Sequence, residues 1–204
     1  MSAKGRKRKT GEQAEAPEHE FYPTPSWCVT RLLQHVELPG GRWLEPSAGD
    51  GAIIRAVDAV RDVAWWADEI RLEAMPLLRQ IESIANLRQC DFLRAPAMSE
   101  FDVAIGNPPF SLAAQFVLRA LECSEHVVML LRLNFLGSSN ARRHLFELAG
   151  VPDVYVLPER PSFTGEGTDA CEYAWMRWTR GAKQKSEVKI LFETFQATMF
   201  GETS

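Results

Sequence analysis

Apolar residues along the chain switch repeatedly between two spacings. From Trp27 to Val36 they fall at Val29, Leu32, Leu33 and Val36, the step of a helix. Ser26 is placed to cap its start and Pro39-Gly40-Gly41 to stop it. Arg42 to Glu45 reads as a short strand running into Pro46-Ser47-Ala48-Gly49-Asp50-Gly51, after which Ile53, Ile54, Val57 and Val60 return to helical spacing. A strand at Val63 to Ala67 follows and ends at Asp68-Glu69. Next come a helix around Pro76 to Ile84, with Pro76 in its first turn, and a strand near Leu87 to Cys90. Phe101 to Ile105 is a buried-looking strand, Leu112 to Leu121 a helix, and His126 to Leu131 the most apolar strand of the chain. The rest reads as a helix over Asn140 to Leu148, a strand at Val154 to Leu157, a polar loop from Pro161 to Asp169 and an aromatic strand from Tyr173 to Trp178.

Seven strands alternating with helices predict an α/β fold, a mostly parallel sheet with helices on both faces. In such sheets ligands sit beyond the carboxyl ends of the strands, and the suspicious polar clusters of this chain fall at those ends. At 204 residues, 46% hydrophobic and 25% charged, the chain suits one globular domain. No apolar run approaches the roughly 18–20 residues of a bilayer span, and the basic start has no apolar stretch behind it to make a secretory signal. Four scattered cysteines (Cys28, Cys90, Cys123, Cys171) without a C-x-x-C pair suit a reduced, cytoplasmic setting. The net charge of −4 does not announce a nucleic-acid binder. Residues 1–20, however, hold five basic residues (Lys4, Arg6, Lys7, Arg8, Lys9) ahead of four glutamates and lack apolar periodicity. They are expected to form a disordered tail, either merely solvated or reaching for phosphates. Residues 21–180 make the expected folded domain. Residues 181–204 form an extension that reads as a packed helix or a dimer contact.

Three strand ends carry candidate chemistry. Glu45 to Gly51 is a small-residue turn from strand to helix, where backbone can approach a ligand closely. It lacks the Lys-Ser/Thr of a phosphate loop and the full G-x-G-x-x-G. About 20 residues on, Asp68-Glu69 could accept the hydroxyls of a ribose. At the third strand end, Asp91 could accept from an exocyclic amino group and Phe92 could lie on a purine. With no phosphate-binding lysine, a nucleoside fits this slot better than a nucleotide.

Asn107-Pro108-Pro109-Phe110 is the most informative cluster. Two prolines remove two N–H donors and hold the chain extended, so carbonyls are left without local partners. With the Asn107 side-chain oxygen they would offer two acceptors to a planar NH2 group, and Phe110 would offer an aromatic face to its ring. Arg142-Arg143-His144 reads as a solvated helix face, with phosphate contact as the other reading. Trp65, Trp66 and Trp175 read as core.

Taken in order, these motifs resemble the S-adenosylmethionine-dependent N6-adenine DNA methyltransferases, in particular the compact phage and prophage type. Phe21-Tyr22-Pro23-Thr24-Pro25 resembles the family's methionine-contacting segment and Glu45 to Gly51 its cofactor loop. Asp68-Glu69 and Asp91-Phe92 resemble the ribose and adenine contacts, and Asn107 to Phe110 the catalytic tetrapeptide. Leu130 to Leu136, Arg160 to Gly165 and Gly167 to Ala170 are similar to the phage group.

The resemblance implies a Rossmann-like class I methyltransferase fold. It also implies cofactor contacts from Tyr22, Thr24, Pro25, Glu45, Pro46, Ser47, Ala48, Gly49, Asp50, Gly51, Asp68, Glu69, Asp91, Phe92 and Asn107. Catalysis would rest on Asn107, Pro108, Pro109 and Phe110 without a metal, and the target base would stack between Phe110 and Phe163. DNA is the implied partner in a bacterial cell or phage-infected host. No stretch is long enough for a separate target-recognition domain, so low sequence specificity is expected. RNA (adenine N6 or guanine N2), a protein glutamine amide, and a non-catalytic nucleic-acid-binding module stay open as alternatives, as does the oligomeric state.

Overall fold

The computed structural model describes residues 22–96, 100–137, 140–163, 167–182 and 186–192. Phe21, the basic tail and residues 193–204 lie outside that set. Eight strands form one sheet: β1 (Arg42–Glu45), β2 (Ala64–Glu69), β3 (Ile84–Gln89), β4 (Phe101–Gly106), β5 (Ser124–Arg132), β6 (Asp153–Val156), β7 (Tyr173–Thr179) and β8 (Val188–Ile190). Their spatial order is β3-β2-β1-β4-β5-β7-β6-β8. Every pairing is parallel except those of β7, which runs antiparallel to β5 and β6.

The helices are α1 (Ser26–His35), α2 (Ala52–Asp58), α3 (Met75–Leu78), α4 (Ala113–Cys123) and α5 (Asn140–Ala149). Successive residues of a strand face opposite sides, and the core divides accordingly. Trp43, Val103, Ile105, Val128 and Trp175 pack under α1 and α2, whereas Leu44, Ala104, Val127, Met129 and Trp178 pack under α4 and α5. Trp65 and Trp175 are fully buried. The Trp175 indole N–H donates to the Cys28 carbonyl at 2.8 Å, tying α1 and the segment before it to the middle of the sheet.

Several expectations need correction. The sheet has eight strands, because part of the extension adds β8 beside β6 rather than forming a helix. The Val154 N–H donates to Glu187 O and the Leu191 N–H to Val156 O, so this short edge strand exists through its ladder. Ser26 is not a cap: it begins α1, and Pro25 takes the N-cap position without a side-chain bond. The helix expected over Pro76 to Ile84 closes at Leu78. Successive tight turns, Ile81 N–H to Leu78 O and Ile84 N–H to Ile81 O, then deliver the chain into β3 three residues early.

Candidate active site

β1 lies between β2 and β4, and from there the chain steps outward through β2 and β3 on one side and β4 and β5 on the other. This is the switch point where parallel sheets open a crevice beyond their carboxyl ends. β1 ends in the Glu45–Gly51 turn and β4 in the Asn107–Phe110 corner. A Cβ on Gly106 would stand 3.4 Å from the Pro46 ring, so the two corners touch. A cleft of about 580 Å³ opens over them. It gathers Tyr22, Thr24, Glu45, Pro46, Ser47, Ala48, Gly49, Asp50, Glu69, Asp91, Phe92, Asn107 and Pro109 from five separate stretches of sequence.

Glu45 is 2% exposed, and its Oε2 has no hydrogen-bond partner among the described residues. Ser47 Oγ beside it is likewise buried and unpartnered. Burial, with Glu69 and Asp50 close by, holds the Glu45 carboxyl well above the usual carboxylate range, against the opposing pull of the Ile54 backbone and Arg55. Glu69 is better supplied. Its Oε2 accepts the Gly49 N–H at 2.6 Å, and its Oε1 accepts the Arg71 backbone N–H and Nε at 2.8 and 3.1 Å. This clamps the second-strand acid to the turn and still leaves lone pairs for a ligand. Asp91 accepts the Leu93 N–H at 3.0 Å, in a turn that presents its carboxylate at the cleft wall.

Asn107 joins the N-terminal segment to this site. Its side-chain NH2 donates to the Tyr22 carbonyl at 3.1 Å and to Thr24 Oγ1 at 3.2 Å. A flipped amide would set Oδ1 against the Tyr22 carbonyl, acceptor to acceptor. The contacts therefore fix which end is which, and they leave Oδ1 as the acceptor available to a ligand.

Other expected site residues stand elsewhere. Asp68 points away: its carboxylate takes a two-pronged contact from Arg88, Nε to Oδ1 at 2.8 Å and Nη2 to Oδ2 at 2.7 Å. Adjacent strand residues must face opposite sides, so only Glu69 of the pair reaches the cleft. Gly51 also lies outside the cleft. At φ +84° it turns the chain, and a Cβ there would meet Ile81 Cδ1 at 2.4 Å, so its glycine serves conformation and packing. Pro25 holds the N-cap position of α1 and Pro108 is buried, and neither lines the cleft. Phe92 reaches the wall but is only 2% exposed, with its ring 5.4 Å from that of Phe116.

Phe110 faces a neighbouring cavity rather than the cleft. The ring parallel to it is Tyr22, at 6.0 Å and 16°. Phe163 is walled in at 8% exposed, edge-on to Tyr173 at 5.2 Å and tilted against Tyr22 at 5.8 Å. The cleft also includes Ile70, Arg71, Leu112 and Gln115, which sequence reasoning passed over. Ile70 and Arg71 directly follow a strand end, so the strand-end rule had the means to find them. Gln115 gave no such sign, because its position depends on where α4 crosses the cleft.

No protein-family model matches the chain, and no curated protein does either. Solved structures do. The methyltransferase subunit of the type I restriction-modification system from Streptococcus thermophilus superposes with a TM-score of 0.61 at 15% identity, over 81% of this chain and 46% of that one. The 23S rRNA methyltransferase ErmE gives 0.59 at 21% identity, over 85% and 72%. Atu636 from Agrobacterium tumefaciens, a predicted O-methyltransferase, gives 0.59 at 15%, over 81% and 84%. The chain thus has a methyltransferase-like α/β fold, and it spans less than half of the type I subunit. Proteins named as a restriction-modification methyltransferase subunit, an rRNA methyltransferase and a predicted O-methyltransferase share that fold, so the acceptor has to be argued from the site.

Proposed function

We propose that this chain transfers a methyl group from S-adenosylmethionine to the exocyclic N6 amino group of adenine in DNA, with little sequence specificity. The observation that carries the reading is the fixed Asn107 amide, whose donors are engaged by Tyr22 and Thr24 at the rim of the cleft. The cleft residues fit the cofactor. The orphaned Glu45 and Ser47 oxygens suit a cationic, hydrogen-bonding amino-acid end, Glu69 suits ribose hydroxyls, and Asp91 suits an adenine amino group.

Bound there, S-adenosylmethionine supplies an electrophilic methyl group. An adenine amino nitrogen is a poor nucleophile, because its lone pair is delocalised into the ring. Asn107 Oδ1 accepts a hydrogen bond from one of its two hydrogens, favours a pyramidal nitrogen and stabilises the positive charge that grows on it. As the methyl–sulfur bond breaks, its electron pair stays on sulfur and the methylated nitrogen gives up its extra proton to water. The amide is oriented before the acceptor arrives, so little reorganisation remains. Pro108 and Pro109 keep the corner extended and free of competing N–H donors. To reach this corner the base has to leave its stack.

Tritiated methyl transfer to unmethylated DNA, RNA and bulk protein tests the reading, followed by nucleoside mass spectrometry to name the modified atom. Label is expected in DNA as N6-methyladenine. The Asn107→Ala variant should lose at least about a hundredfold in rate, with cofactor affinity nearly intact. Near-full activity in that variant would remove Asn107 from the chemistry. Label in RNA alone would move the acceptor to RNA.

A further inference from the structure

A second cavity, of about 340 Å³, shares Tyr22 with the cleft and reaches the other side of the tetrapeptide through Phe110 and Ser111. Its polar wall comes from the last residue of β5, Arg132, and from Asn134 and Arg142 after it. Among the described residues no carboxylate lines it.

Both guanidinium groups are held in place. Arg132 lies over the Phe110 ring at 4.4 Å, and its Nε donates to the Tyr173 hydroxyl at 2.9 Å. That hydroxyl donates to Asp169 at 2.9 Å, and Asp169 approaches the Arg132 Nη2 no nearer than 3.4 Å. The acid thus steadies Arg132 mainly through the tyrosine. Arg142 lies 5.1 Å over the Phe135 ring and donates Nη1 to the Asn134 carbonyl at 2.6 Å. Planar cations braced on aromatic faces lose little freedom when they grip a tetrahedral anion, and the fork of a guanidinium group matches its oxygens.

We propose that this cavity is a phosphate subsite, in which Arg132 and Arg142 hold a backbone phosphate of the acceptor strand beside the target nucleotide. The proposal rests on the nucleic-acid reading above and deepens it, since a glutamine amide brings no phosphate. Ser111 and Phe110 connect the subsite to the Asn107 corner, so one anchored phosphate would set the reach of the base on its sugar.

The test is binding of a fluorescein-labelled single-stranded DNA oligonucleotide containing one adenine, measured by anisotropy over a range of salt. Arg142→Ala should weaken binding about tenfold and reduce the slope of log affinity against log salt by about 0.7, the contribution of one phosphate on a single strand. Arg142→Lys should recover most of that slope. S-adenosylmethionine binding by calorimetry should be unaltered in both variants, which certifies the fold. A neutral methylphosphonate beside the adenine should weaken the wild type by a similar factor and weaken Arg142→Ala no further. Unchanged slopes, or full additivity of the two changes, would overturn the subsite. The two readings fail separately. Salt-dependent binding through Arg142 with no methyl transfer to DNA leaves the subsite standing and removes the activity. Methylated DNA with an unchanged slope does the reverse. The same dependence on RNA alone supports the subsite and overturns the DNA acceptor.

Discussion

At the end of β1, inside the sheet, Glu45 is 2% exposed, and on β6, near the sheet's edge, Asp153 is 4% exposed. Depth is equal; company is not. Asp153 Oδ2 receives Arg177 Nε at 3.2 Å and Nη2 at 2.8 Å, while its Oδ1 accepts the Glu187 N–H at 3.1 Å. That arrangement joins β6 to β7 and seats the chain entering β8. Glu45 has one oxygen with no partner among the described residues, at the floor of a cleft, and its carboxyl is pushed up by burial and by neighbouring acids. A buried acid with both oxygens answered is part of the frame. One left short marks a candidate ligand site.

The largest effect should fall on the frame. Asp153→Ala leaves Arg177 facing an empty site, with its side chain only 23% exposed. It should cost about 3 kcal/mol, read as a lower urea midpoint. A loss comparable to an exposed pair, under about 1 kcal/mol, would break the contrast.

Gly51→Ala sharpens it inside the cleft's own loop. The left-handed backbone at φ +84° and the clash with Ile81 should destabilise the fold by about 2 kcal/mol. Residual folded protein should still bind cofactor, because the residue does not line the cleft.

Glu45→Gln should do the opposite of Asp153→Ala: leave stability unchanged or raised, and weaken S-adenosylmethionine binding about tenfold by calorimetry. A fall in stability matching that of Asp153→Ala would make Glu45 structural.

The smallest effect is a pH slope. The Glu45 carboxyl is raised in the folded state, so the folded protein binds its proton more tightly than the unfolded chain does. Its stabilising contribution is complete below the ordinary glutamate range and is lost as pH rises through that range toward the folded-state value. The ligand-free Tm should carry this downward trend, and the difference between wild type and Glu45→Gln should isolate it.

Much of this was legible from residue order. Strong periodicity announces β4, β5 and β7, and strand-end clustering points at Glu45, Glu69, Asp91 and Asn107. β8 was not legible, because Val188-Lys189-Ile190 is too short to carry a pattern and forms only by pairing with β6. Asp68 and Glu69 were indistinguishable for a related reason. Both end the same strand, and which of them faces the cleft depends on the sheet's register with β1 and β3.

By itself, then, the sequence determined the alternation of elements, the parallel sheet that follows from it, and the proline-stiffened corner, all properties of neighbours along the chain. Only the tertiary structure decided which acid lacks a partner, which way the Asn107 amide turns, and that Arg132 and Arg142 meet at one cavity. Those are contacts between residues up to 85 positions apart, and no local propensity encodes where two such side chains come to rest.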